Sequence, residues 1–195
     1  MLEDLDATLE ALIKREFPAD VPSSSTTVHI SFETPFQGSI PQKPALNFFL
    51  YDVRENLELR NAVGGWERQD NGRAVKQRPP ARVDCSYLVT AWPQNDDDIK
   101  TEHQLLGELT RVLLRYRRIP EVFWQDSLQD QPVQIRMVSL RPSNLNSFGE
   151  FWQAMGGRDG TRPKVVLHCT VTIAVDLGLD APEAPLVGMV TGGQA

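Results

Sequence analysis

The sequence predicts an α+β fold: a mixed, mainly antiparallel sheet with helices packed on it. Three observations carry that expectation. Segments with period-2 alternation and segments with helical period both occur, so the chain holds strands and helices. Their order reads α-β-β-β-α-β-α-β, and strands that do not take turns with helices argue against a doubly wound parallel sheet. The length, 195 residues, suits one core, which at this size buries roughly 70% of its unfolded surface and needs no disulfide or metal to fold.

Residues 1–17 read as an amphipathic helix. Leu2, Leu5, Leu9, Leu12 and Ile13 form one stripe with acids between them, and Pro18 ends it. Residues 27–33 alternate Val28, Ile30 and Phe32 with Thr27, His29 and Ser31, a half-buried strand. Four turn-forming residues (Pro35, Gly38, Pro41, Pro44) make 34–44 a stiff loop. Residues 45–54 are apolar on both faces, which predicts a central strand of a covered sheet. Residues 55–82 read as a long, irregular, basic segment punctuated by Gly64-Gly65, Asn71-Gly72 and Pro79-Pro80. Loops of that length are functional or disordered more often than not.

A third strand follows at 83–93. The acidic run Asn95–Asp98 then suits the positive end of a helix dipole, and the helix is expected from Ile99 to Arg118. Leu105, Leu106, Leu109, Val112, Leu113 and Tyr116 supply its buried stripe, and Pro120 stops it. Residues 133–141 alternate as a strand. Ser147 to Glu150 fits a capping box opening a short helix to Met155. Residues 164–177 give the clearest alternation in the chain. Their length exceeds the usual ~5–6 residues of a strand. The tail from 178 onward is rich in proline and glycine and is expected to lack fixed structure in the free chain.

Composition narrows the classes of function. Hydrophobic residues are 41% and charged residues 24%, which is ordinary for a globular chain. No apolar run approaches the ~20 residues of a membrane span. The acid-rich start does not resemble a signal peptide. A net charge of −6 argues against broad attraction to nucleic acid. Fifteen arginines stand against five lysines. That bias fits either interfaces, where the planar guanidinium grips carboxylates, or simple genome composition. Cys85 and Cys169 sit inside strand-like apolar runs and read as buried free thiols.

A search for chemistry finds none. There is no phosphate-binding glycine loop, no GxSxG elbow and no HExxH. His29, His103 and His168 lie far apart, without partners at metal-ligand spacing. His168 and Cys169 are strand neighbours and face opposite ways, so they cannot act as a pair. Asp96-Asp97-Asp98 fits helix-dipole compensation better than a cation loop. Gly156 to Gly160 follows a helix, so the dipole has the wrong sign for an anion. The segment 54–82 carries seven basic residues but only Trp66 for base stacking, with acids interspersed. No catalytic, cofactor-binding or metal residue is assigned, and an interaction module is favoured over an enzyme.

Four stretches, taken in order and spacing, add a resemblance. They are Leu46–Asn56 with Leu59-Arg60-Asn61; Arg78–Ala91; Glu102–Gly107; and Ser139–Leu145 leading into Phe151–Gly156 and Arg162-Pro163. Over residues 1–178 the chain resembles the N-terminal domain of the cap, or tail-terminator, proteins of extracellular contractile injection systems, of the antifeeding-prophage and virulence-cassette type. The resemblance implies a phage tail-terminator-like α+β domain over 1–178 and a flexible tail over 179–195. It implies a structural protein forming a sixfold ring that ends the inner tube and anchors the last sheath ring. The implied partners are copies of itself, the inner-tube protein and the sheath protein, with no cofactor, no nucleic acid and no membrane insertion. Assembly would take place in the cytoplasm, in a particle that can be released. The alternatives are another tube or baseplate component of the same particle, and an enzyme whose site the sequence hides.

A cyclic ring needs two different complementary surfaces on each subunit. The 55–82 segment is the expected contact loop, with Arg60, Trp66, Arg68, Arg73 and Arg78 as candidate assembly contacts, since aromatic and arginine side chains dominate interface energetics. For any one of them the plainer reading is an exposed loop residue. The tail is the expected arm, docking by adding an extended segment to a neighbour's sheet edge.

Overall fold

The computed structural model describes residues 1–18, 27–36, 38–59, 66–68, 73–76, 79–140, 148–156, 163–177 and 183–185. Helix α1, Leu2–Glu16, buries Leu5, Leu9, Leu12 and Ile13 on one stripe, with Glu3 and Asp4 in its first turn and Lys14 and Arg15 in its last. Helix α2, Ile99–Arg115, buries Leu105, Leu106, Leu109, Val112 and Leu113. Its start is capped by Asp98, whose carboxylate accepts from the Thr101 amide at 3.0 Å.

Five strands form the main sheet: β1 (His29–Ser31), β2 (Ala45–Glu55), β5 (Ala81–Trp92), β6 (Arg136–Ser139) and β7 (Leu167–Val175). Their order is β1-β2-β5-β7-β6, with β1 parallel to β2 and every other pair antiparallel. The expected α+β class and mixed, mainly antiparallel sheet are therefore the observed ones.

Strand β5 holds the centre, and β2 lies one place from the edge. β2 is apolar on both faces because both are covered at its first residues; towards Glu55 it emerges into solvent. The alternation at 164–177 yields a shorter strand, because Val165 and Leu177 at its ends are half exposed. β5 is the longest strand. The strand expected at 133–141 is shorter, Arg136–Ser139.

Helix α2 stops three residues before the expected Arg118. Residues 117–119 are extended and bond to the outer edge of β6: the Met137 amide donates to the Arg117 carbonyl and the Ile119 amide to the Ile135 carbonyl. Two short 3-10 turns follow, Glu121–Phe123 and Asp126–Leu128, in a stretch where the sequence suggested no element. They bury Phe123, Trp124 and Leu128 and are tied to α1 by the Gln125 amide, which donates to the Thr8 hydroxyl at 3.1 Å.

One face of the sheet packs with α1, α2 and these turns into a single apolar cluster that includes Leu46, Phe48, Cys85, Tyr87, Val89, Met137, Cys169, Val171 and Ile173. Helix α3, Phe148–Gly156, lies over the other face, where Phe151 meets Phe49 with ring centroids 6.4 Å apart and Trp152 is buried. The capping box expected at Ser147 falls outside the described residues.

The irregular reading of 55–82 needs correction. That segment contains a 3-10 turn at Leu57–Leu59 and two short strands, β3 (Trp66–Arg68) and β4 (Arg73–Lys76). With β8 (Glu183–Pro185) they form a second, three-stranded sheet in the order β3-β4-β8. Strands of three or four residues rich in charge show no hydropathy alternation, so periodicity could not find them. The tail expected to lack structure thus contributes a strand at 183–185.

Candidate assembly surfaces

The five residues expected to contact partners scatter over the second sheet and beyond it. Trp66 and Arg68 are on β3 and Arg73 is on β4; Arg60 and Arg78 lie outside the described residues. Register sets Trp66 opposite Lys76, Arg68 opposite Ala74, and Arg73 opposite Pro185 of β8. The contact segment is therefore an ordered ribbon where described, and a short piece of the tail completes it by adding a strand at the edge. That is the mode of docking expected between subunits, here within one chain.

The second face of the main sheet is polar and largely buried. Asn47, Ser86, Thr90, His168 and Thr172 are all at most 8% exposed. Cross-strand register explains their pairing: Ser86 faces Thr170 with hydroxyls 3.2 Å apart, and Thr172 faces Asp84 and donates to its carboxylate at 2.6 Å. The other Asp84 oxygen accepts from the Asn56 amide group at 2.9 Å. A bulge between Leu50 and Asp52 re-aims β2, so that the Tyr51 hydroxyl reaches Nε2 of His168 at 2.5 Å. Burial holds the His168 pKa below its ordinary 6.5, against the opposing pull of Asp52. Its Nδ1 has no partner among the described residues.

Further along this face the polar row turns basic. Arg82, Arg118 and Arg136 line a cleft of about 450 Å3 together with Glu58, Leu59 and Pro80. Burial lowers the Arg82 pKa, and the neighbouring Arg136 charge lowers it further. At the opposite end Lys164 and Glu102 form a buried ion pair at 2.7 Å, with side chains 2% and 5% exposed. The Lys164 ammonium lies 4.7 Å from the centre of the Trp92 ring, and Lys43, paired to Asp96 at 2.6 Å, lies 5.4 Å from the same ring. A groove of about 570 Å3 runs between the end of α1 and β1, lined by Ile13, Phe17, Val28 and Ile30 among others.

Catalytic geometry does not emerge from these groups. Among the described residues no three His, Cys, Asp or Glu side chains are placed to hold a metal ion. Both cysteines are free and buried, as expected, and burial pushes each thiol up to about 12, far from nucleophilic. Tyr87 is likewise raised by burial, beside the Asp6 carboxylate to which it donates at 2.7 Å. Among the described residues no helix is long and apolar enough to cross a membrane. Sequence reasoning passed over Arg82, Arg118, Arg136, Glu102 and Lys164, because only sheet register and tertiary packing bring them together.

Known proteins resemble the chain in sequence and in fold. The family model described as the Pvc16 N-terminal domain matches residues 4–188. The chain belongs to that family. The match runs past 178 and takes in β8, so the family domain includes all three strands of the small sheet. Two solved structures share the fold. One is a sheath/tube terminator of an extracellular contractile injection system in the extended state, at a TM-score of 0.69 and 24% identity, covering 100% of this chain and 63% of that one. The other is a tube-terminating cap of the anti-feeding prophage, at a TM-score of 0.64 and 21% identity, covering 100% of this chain and 62% of that one. The chain thus spans under two thirds of the length of either. No curated protein matches it.

Proposed function

We propose that this chain is a structural cap, which ends the inner tube and anchors the last sheath ring of a contractile phage-tail-like injection particle. The observation that carries the reading is the family match across 4–188, joined to two fold likenesses that each cover the whole chain and are each to a terminator. The role is structural, acting through surfaces instead of a reactive site. Its partners are the tube protein, the sheath protein and further copies of itself, closed into a ring of six.

The architecture supports this. A ring subunit needs a rigid body with two unlike surfaces. The helix-backed sheet supplies the body; the small sheet at 66–68, 73–76 and 183–185 and the basic cleft supply candidate surfaces. Arg60, Trp66, Arg68, Arg73 and Arg78 remain the proposed contacts, of which Trp66, Arg68 and Arg73 are on the small sheet. Deleting the protein tests the role. Baseplates and tubes are expected to form, with tubes of uncontrolled length or sheaths that detach. Particles of normal length with intact sheath would refute it.

A further inference from the structure

Arg82, Arg118 and Arg136 come from three separate segments (β5, the extended stretch after α2, and β6) and line one cleft. Register brings them together. Asp84 faces Thr172 across β5 and β7, Thr172 faces Arg136 across β7 and β6, and Arg136 bridges to Arg118. Arg82 sits two residues before Asp84, on the same face of the sheet. Arg118 and Arg136 are exposed and Arg82 is half-buried.

Among the described residues none of the three guanidinium groups has a hydrogen-bond or ion-pair partner, and Arg82 Nε is buried without one. Asp84, the carboxylate in their row, already has both oxygens occupied by Thr172 and Asn56. Among the described residues Glu58 is the one acid lining the cleft, against three arginines. Like charges gathered in this way repel one another, and an unpartnered buried donor costs free energy. An anion would relieve both. Each guanidinium offers a planar fork matched to a carboxylate.

We propose that this cleft receives carboxylate side chains from a second copy of the chain. The inference rests on the ring reading above for the identity of its occupant. Charge supports that choice. The chain carries 26 acids against 20 bases, so two copies repel over most of their surface. A contact between copies is favourable where unpaired arginines of one meet acids of the other. Such a contact sets orientation and register more than it sets total affinity.

Self-association of the full chain, followed by mass photometry and sedimentation at low and high salt, tests the proposal. The variants are R118E/R136E and, as a control on an exposed arginine outside the cleft, R111E. Thermal melts confirm that each is folded. Hexaglutamate peptide serves as a probe for the cleft itself. The expected result is association that weakens with salt, is competed by hexaglutamate, and falls more than about tenfold in R118E/R136E but not in R111E. Association of equal strength in R118E/R136E would overturn the proposal and leave the ring reading standing. A chain that stays monomeric while binding hexaglutamate through these arginines would assign the cleft to a different protein and overturn the second-copy occupant. Failure to bind hexaglutamate at all would overturn the carboxylate site.

Discussion

Val171 and Thr172 are neighbours on β7 and face opposite sides of one sheet. Val171 is fully buried in the apolar cluster beneath α1 and α2, across from Cys85 and Met137. Thr172 is 5% exposed, yet its hydroxyl is committed to Asp84. The apolar face is held by non-directional contacts, and its stabilisation follows the area removed from water. The polar face is directional: each buried hydroxyl or carboxylate needs a partner at a fixed distance. The first face specifies that the chain folds; the second specifies where particular groups stand, and it ends in the three arginines that lack partners among the described residues.

Breaking the apolar face has the largest expected effect. Val171→Asp places an unpaired charge in the core, at a cost of several kcal/mol, comparable to the ~5–15 kcal/mol stability of a whole domain. Circular dichroism should show no cooperative melt. A folded V171D protein would mean that this face is far looser than its packing suggests.

The corner where Lys164 meets Glu102 comes next. Glu102→Gln strips the Lys164 ammonium of its charged partner inside the protein and should cost about 3–5 kcal/mol. The double variant E102L/K164M should recover most of that loss, because a volume-matched apolar pair avoids the desolvation of two charges. If E102L/K164M melts no higher than E102Q, the pair is required for more than charge balance.

A smaller loss is expected at Thr172→Val, which keeps shape and removes the donor to Asp84, by about 1–3 kcal/mol in a denaturant titration. The same Val substitution at Thr170, whose partner is the Ser86 hydroxyl, should cost less, since no charged acceptor is left short.

How much was legible in the sequence follows the same division. The apolar stripes of α1 and α2, the apolar runs of β2 and β5 and the alternation of β7 are signals carried by neighbouring residues, and those elements appeared near their expected places with shifted ends. The polar face shares the period of two, but that period does not say which of its groups pair. Thr172 and Asp84 are 88 residues apart, and only antiparallel register makes them partners. The segment 119–131 was missed because its two 3-10 turns are only three residues each, too short to show a period, although Ile119, Phe123, Trp124 and Leu128 are all buried. The small sheet was missed because its strands are too short to show alternation. Arg60, Trp66, Arg68, Arg73 and Arg78 were chosen by residue type alone, whereas the arginines that converge on the cleft had to await the sheet.

The least costly probe of the comparison is pH. His168 has its pKa held below 6.5 by burial, so between the two values the unfolded chain binds a proton that the folded chain refuses. Stability should therefore rise with pH through that window and fall as the solution is acidified below about 6.5. His168→Gln should shrink this acid-side loss of melting temperature. An unchanged pH slope in H168Q would show that His168 is not the group responsible.

We propose that the chain sits at the end of the tube. Electron microscopy of intact particles carrying a labelled copy of the chain tests this most directly. Label is expected at one end only, the end away from the baseplate, with sixfold density beneath it. Label along the whole tube, or at the baseplate, would contradict it.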